Sequence, residues 1–258
     1  MDRPIVDNYT WESYKNLLRL LEECGYEFAT FNDYEEYEKP CILRHDIDVS
    51  LDRALRMAHM EASCPGLRST PRATYFILIT GDWYNAFSIR AKQAIEKLLA
   101  LGHEVGLHFD DMKYEWHDDY DLLAAYVRKE ADMLSEICDC EIKTFSTHKS
   151  PKLLLDGRLK VEGLANAYDD IFFKQFKYLS DSAMTWREDA HSVIISGEHS
   201  GLQVLTHPIW YSTQYRSKRD QLMHILKQGA RQRYTLVGEL VPDIDMHITE
   251  EDILRIEK

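Results

Sequence analysis

The sequence predicts an α/β fold on a parallel sheet, and three observations carry that expectation. Short apolar runs rich in β-branched and aromatic residues, ATYFILIT and HEVGLHF among them, alternate with longer segments of helical period. Capping residues and glycines punctuate the switches between the two. At 258 residues the chain can bury a sizeable core, and strand–helix alternation over that length implies crossover connections between parallel strands. Such a sheet is either open or closed into a barrel.

Taken in order, Thr10 is placed to cap a helix whose apolar side runs Trp11, Tyr14, Leu18 and Leu21, with Gly25 just past its end. YEFATF and CILRHDID follow as strands. Ser50 caps the next helix, which turns Leu51, Ala54, Leu55, Ala58 and Ala62 to one face. ATYFILIT reads as a buried strand, and FSIRAKQAIEKLLALG as a helix with Ile89, Ile95, Leu98 and Leu99 on its core side, ended by Gly102. HEVGLHF is a strand, DYDLLAAYVRKEADMLSEI a helix presenting Leu123, Val127, Leu134 and Ile137, and IKTFSTH a further strand. Beyond it NAYDD, KYLSDS, SVIIS and LQVLTH read as short strands, and SKRDQLMHILKQGA as a late helix. No repeat, linker or charge block marks a boundary. Residues 1–258 are therefore expected to form one domain, with a motif-bearing core over about 40–212 and the terminal helices packed on it.

Composition excludes several function classes. Thirty-one basic against forty-four acidic residues leave a formal charge of −13, which opposes binding to nucleic acid or anionic lipid. No window approaches the roughly 20 apolar residues that span a bilayer, and MDRPIVDNYTWESYK lacks the apolar stretch of a secretory signal, so a cytoplasmic protein is expected. The five cysteines, Cys24, Cys41, Cys64, Cys138 and Cys140, are odd in number and lack zinc-knuckle spacing; reduced thiols are the simplest reading.

CILRHDIDVS is the stretch that points to chemistry. In an extended strand Arg44, Asp46 and Asp48 share one face, while His45 and Ile47 take the other. Buried carboxylates that close together repel each other and need a positive partner, either Arg44 in a salt bridge or a metal ion. Other predicted strands also end in metal-competent residues: HEVGLH in His108, FSTH in His148, LSDS in Asp181 and LQVLTH in His207. In parallel α/β folds the carboxyl ends of strands converge where ligands bind.

The ordered segments RHDID, ATYFILIT, GHEVGLHFD, FSTHKSP, SDSAMTW and LTHP, over about residues 40 to 212, resemble the polysaccharide deacetylase (NodB-homology) family, carbohydrate esterase family 4, and within it the branch with an RHDxD first motif. The resemblance implies a distorted (β/α)7–8 barrel with a divalent metal at its mouth. It implies Asp46 as general base, Asp48 and His108 as metal ligands, and His207 as the acid that protonates the leaving group. The family's second motif is His-x-x-x-His, but four residues after His108 this chain has Met112, and a thioether is a poor ligand beside Asp and His. His148 is the first candidate for the third ligand, with Asp110 or Asp111 as the alternative. The family's Arg-x-Pro motif is absent too; Arg44, on the face of Asp46, is expected to orient the base in its place. Asp181, Trp186 and Tyr211, near the late motifs, are expected at the substrate, the two rings stacking on a sugar.

The activity so implied is metal-dependent removal of an N-acetyl or other short acyl group from a sugar or sugar-containing precursor. Zinc is the expected ion, with Co, Ni, Fe or Mn as alternatives. Two other readings use the same residues: a non-catalytic carbohydrate-binding barrel whose metal site is lost at Met112, and a hydrolase of another C–N or ester bond.

Overall fold

A computed structural model describes residues 8–148 and 157–255 of the protein. The chain divides into two compact units, Met1–Thr213 and Gln214–Lys258. In the first unit, eight strands form one sheet: β1 (Glu27–Ala29), β2 (Pro40–Ile47), β3 (Thr74–Ile77), β4 (Glu104–Phe109), β5 (Thr144–Thr147), β6 (Ala165–Asn166), β7 (Lys177–Ser180) and β8 (Leu202–Thr206). Their order is β6-β5-β4-β3-β2-β8-β7, with β1 added to β2, and every pairing is parallel. Helix α1 (Trp11–Glu23) precedes the first strand, and helices α2 (Leu51–Ala62), α3 (Ile89–Ala100), α4 (Tyr120–Cys138) and α5 (Ala190–Ser196) lie in the connections between later strands.

The helices start where the sequence offers caps. Thr10 and Ser13 form a reciprocal capping box on α1, and Ser50 and Ser88 accept from the third backbone N–H of α2 and α3. Gly25 and Gly102 follow α1 and α3 with φ of +83° and +87°, a conformation that glycine adopts without strain.

The sheet curls into a distorted, incompletely closed (β/α) barrel. β2 lies at its centre, pairing through Pro40–Ile42 with β1, through Arg44–Ile47 with β3 and through Cys41–His45 with β8. Tyr168 follows β6, four strand spacings from β2, or roughly 19 Å on a flat sheet at about 4.8 Å per strand. Yet Arg44 Nη2 donates to the Tyr168 hydroxyl at 2.8 Å. Only a curled sheet allows that contact. Gln203 of β8 reaches across the same interior to donate to the carbonyls of Ala167 and Phe172.

Alternation along the strands then sorts side chains into two layers. Odd residues of β2, Cys41, Leu43 and Ile47, join the large apolar core against the helices; Ile42 joins a smaller interior cluster with Phe31, Phe76 and Phe172. Gly106 faces that interior, where a Cβ would stand 2.6 Å from the Phe76 ring, so β4 can approach β3 only without a side chain there.

Four local expectations are corrected. SVIIS is helical, as part of α5, because the Asp189 side chain caps Ser192 N and Gly197 ends the turn at φ +66°. Ile89 is 78% exposed: it is the first residue of α3, and its side lies outside the face carried by Ala91, Ala94, Ile95 and Leu98. Ala62 of α2 is exposed, and Glu61 is buried in its place. NAYDD contributes only Asn166 to the two-residue strand β6. All five cysteines are free thiols. Among the described residues no helix is long and apolar enough to cross a membrane.

The second unit is built on α6 (Lys218–Leu240), which begins at the predicted late helix, is capped by Ser217 and runs well past Ala230. After a turn at Ile244–Met246, α7 (Glu250–Leu254) folds back, and the Tyr234 hydroxyl donates to Ile248 O at 2.9 Å.

One buried carboxyl makes stability depend on pH. Glu130 of α4 is 1% exposed, and burial pushes its carboxyl up to about 7, against a hydrogen bond from the Tyr114 hydroxyl that favours the carboxylate. Its folded value thus lies above its unfolded one. The stability it confers is complete below the ordinary carboxylate range and is lost as pH rises through about 7, at up to about 1.4 kcal/mol per pH unit inside that window. Glu130→Gln is expected to raise the melting temperature at pH 8 and leave it nearly unchanged at pH 4, as thermal unfolding followed by circular dichroism will show.

Candidate active site

The polar face of β2 is assembled as the strand pattern requires. Arg44, fully buried, donates from Nε and Nη2 to the two carboxylate oxygens of Asp46, each at 2.9 Å, a bidentate clamp. Its remaining donors reach Gln203 Oε1 and Tyr168, and its guanidinium lies over the rings of Phe76 and Tyr168. Burial pushes the Asp46 carboxyl up, but Arg44 and, after it, His108 outweigh burial and hold it below the usual range. Asp46 is therefore a carboxylate.

Asp48 stands two residues on from Asp46, just past the end of β2. His108 Nε2 and His148 Nδ1 each lie 3.2 Å from Asp48 Oδ1, and 3.1 Å from one another. Strand register explains the convergence: His108 of β4 pairs with Ser146 of β5, and His148 N donates to Phe109 O at 2.7 Å, which carries the pairing on by one residue. Ser146 and His148, two apart, then share the face of His108. Ser146 Oγ lies 2.7 Å from His108 Nδ1; in the tautomer where Nδ1–H donates to that hydroxyl, the Nε2 lone pair is left to the cluster.

These three residues fit a divalent cation. Each offers one ligand atom and the three atoms crowd together, yet buried Asp48 Oδ1 has no well-formed hydrogen bond. Pairwise separations of 3.1 to 3.2 Å match the edges of a coordination shell with ligands about 2.0–2.2 Å from the ion. Neither Asp110 nor Asp111 belongs to the trio. Asp110 lines the cavity but accepts from Met112 N, and Asp111 is buried away from it. Met112, at the expected place of a second histidine, is 79% exposed.

His207, at the end of β8, completes the site from the opposite side. Its Nε2 is 3.9 Å from Asp48 Oδ2, and its Nδ1 is 2.6 Å from Asp181 Oδ1. Burial pushes the imidazole down, but the Asp181 carboxylate outweighs burial and raises it to about 9. Asp181 also accepts from His207 N through both oxygens, at 3.1 and 3.2 Å, so ring and backbone are held by one carboxylate.

A cavity of about 710 Å³ opens over these strand ends, lined by Asp46, Asp48, His108, His148 and His207. Three residues expected at the substrate lie elsewhere. Asp181 is fully buried behind His207 and does not line the cavity. Tyr211 is fully buried among Tyr9, Trp11 and Tyr14, because it follows Trp210 in the chain and turns to the opposite side. Trp186 packs against the main core. The aromatic walls are instead Trp83, Tyr168, Phe173, Tyr178 and Trp210. Position was the available signal, since Trp83 and Trp210 lie in the segments immediately after β3 and β8. The KSP part of FSTHKSP lies outside the described residues.

Losing the Ser146 hydroxyl is expected to free the His108 ring. Ser146→Ala should weaken Zn²⁺ binding about 10- to 100-fold, the usual cost of an outer-shell partner, as competition with a chromogenic chelator will measure.

No family model matches the chain, and no curated protein matches it. Among solved structures it is similar to a family 4 acetyl xylan esterase from Clostridium thermocellum in complex with cobalt, at 13% identity over 73% of this chain and 83% of that one, TM-score 0.39. It is similar to the chitin deacetylase of the fungal pathogen Colletotrichum lindemuthianum, at 15% identity over 80% and 87%, TM-score 0.41. It is also similar to the peptidoglycan deacetylase PdaC of Bacillus subtilis, at 12% identity over 81% and 96%, TM-score 0.41.

Proposed function

We propose that this protein is a metal-dependent hydrolase that removes an N-acetyl or other short acyl group from an amino sugar or sugar-containing precursor. The observation that carries the reading is the trio Asp48, His108 and His148, flanked on one side by an Arg44-clamped carboxylate and on the other by an Asp181-held imidazole. An acid, a base and a cation-holding set around one cavity are what acyl transfer to water needs.

A divalent ion held by Asp48, His108 and His148, zinc first among the candidates, would supply Lewis acidity toward water and the acyl oxygen. Asp46, kept ionised by Arg44, accepts the proton of the attacking water. Arg44 occupies one lone pair on each Asp46 oxygen and so fixes the direction of the remaining ones. His207 carries a proton at Nε2 for the departing nitrogen, and Asp181 on Nδ1 keeps the imidazolium charged and aimed. An amide nitrogen leaves only when protonated, so that donor is needed. The C–N bond breaks, a C–O bond to water forms, and the products are a short carboxylic acid and a free amine. Trp83 and Trp210 offer apolar faces on which a sugar ring can stack.

Acetate release from a panel of N-acetyl and O-acetyl sugars by the zinc-loaded protein tests this reading. Hydrolysis of an N-acetyl sugar, lost in both Asp46→Asn and His207→Ala, is the expected result. Bound metal without hydrolysis of any panel member would favour a carbohydrate-binding role, and hydrolysis of O-acetyl sugars alone would move the reading to an esterase.

A further inference from the structure

His45 sits in the RHDID stretch between Arg44 and Asp46, yet faces away from the cavity into the layer between sheet and helices, where it is fully buried. Its Nε2 lies 2.9 Å from Glu61 Oε1 on α2, and its Nδ1 lies 2.8 Å from Thr206 Oγ1 on β8. A carboxylate only accepts, so Nε2 carries the proton toward Glu61 and Nδ1 faces the Thr206 hydroxyl. Glu61 is buried as well, and its second oxygen accepts from the Tyr75 hydroxyl at 2.6 Å. The Tyr14 hydroxyl donates to Oε1, and His103 Nε2 stands 3.6 Å from Oε2. Four elements and the residue leading into β4 thus meet at one carboxylate: α1, α2, β2 and β3, with β8 joined through His45. A buried charge is costly, and this one is surrounded by donors rather than replaced by apolar packing.

The location of this network gives it a task. His45 and Thr206 are register partners in the β2–β8 pairing. The residue after His45 is Asp46, and the residue after Thr206 is His207. The His45–Thr206 hydrogen bond between β2 and β8 on the outer face therefore lies directly behind Asp46 and His207 on the inner face. We infer that Glu61, through His45 and Thr206, is a positioning network that sets the pleat of β2 against β8 and so the mutual placement of Asp46, Asp48 and His207. The inference rests on the proposed function, its metal arm on an ion held by Asp48, His108 and His148 and its catalytic arm on the hydrolysis. Displacement of reacting groups by about 1 Å can cost about 10²-fold in rate, so a network that touches no ligand can govern turnover.

The test uses Glu61→Gln, which keeps shape and loses charge, and Thr206→Val, which exchanges the hydroxyl for a methyl and leaves the Glu61 carboxylate and its donors in place. Glu130→Gln, a buried carboxyl outside the network, is the control. In folded variants the Zn²⁺ dissociation constant and the visible spectrum of the Co²⁺-substituted protein are measured, then kcat and KM on whichever sugar the wild type hydrolyses. Expected for both network variants are a dissociation constant raised about 10-fold, an altered Co²⁺ band, and kcat lowered more than about 10-fold with KM within about twofold. The control should change none of these. Unchanged metal affinity and Co²⁺ spectrum in folded Glu61→Gln and Thr206→Val would overturn the inference, reducing the network to packing. A wild type that binds metal but hydrolyses nothing would count against the proposed function instead, and the metal arm would still decide the network.

Discussion

Replacing His148 by alanine is expected to abolish stoichiometric Zn²⁺ binding and, with it, hydrolysis. His148 Nδ1 is one of three ligand atoms, 3.2 Å from Asp48 Oδ1 and 3.1 Å from His108 Nε2, and no other described residue joins the trio. Loss of an outer-shell partner already costs up to about 100-fold in affinity, so loss of a direct ligand should exceed that. Met112→Ala is the informative contrast. That side chain points to solvent, and its removal should leave both metal content and rate at the wild-type level. Metal content by mass spectrometry after dialysis, beside the acetate assay, reads both variants. Full metal occupancy in His148→Ala would show that the ion is held elsewhere.

Arg44→Leu is expected to be the most destabilising single change in the site. The guanidinium is completely buried and makes both hydrogen bonds to Asp46, so its removal leaves a carboxylate inside the barrel facing Asp48. Breaking one side of a buried ion pair costs about 3–5 kcal/mol, whereas replacing both partners by apolar groups is often nearly neutral. Arg44→Leu with Asp46→Leu should therefore recover most of the stability lost by Arg44→Leu alone, while remaining without activity. Denaturant titrations of the two proteins measure the difference. Equal stability of the single and double variants would mean that Asp46 is not held by Arg44. Arg44→Lys should not rescue, because an ammonium cannot form the two parallel bonds of a guanidinium.

Much of this architecture is legible in the residues, and the reasons are local. Period and caps expose α1 to α4 and the strands before them, because Thr10, Ser50 and Ser88 satisfy the first backbone N–H groups of their helices. The convergence of Asp48, His108 and His148 was open to inference because each stands at the carboxyl end of a strand, where parallel strands deliver their side chains to one place. What was not legible depends on parity and closure. Trp186 and Tyr211 are near the site motifs in sequence, but Tyr211 turns outward into the Tyr9, Trp11 and Tyr14 cluster, while its neighbour Trp210 turns inward. One residue decides the side. Tyr168 contacts Arg44 across the barrel only because the sheet curls, which no local pattern encodes. SVIIS misleads because its β-branched run outweighs the Asp189 cap and Gly197 stop that flank it, although both signals are present.

His45 shows the same limit. Its alternation with Arg44 and Asp46 places it on the outer face, but the sequence does not reveal that Glu61, sixteen residues on, buries a carboxylate against it. The cost of that burial makes the position informative, and it became visible only with α2 packed on the sheet.

The central claim is that Asp48, His108 and His148 hold a single divalent ion. Anomalous diffraction at the zinc edge from crystals of the zinc-loaded protein tests it most directly. The account predicts one strong peak about 2.0–2.2 Å from a carboxylate oxygen of Asp48, from His108 Nε2 and from His148 Nδ1. A peak at any other set of residues, or none at that place in protein shown to bind zinc, would contradict it.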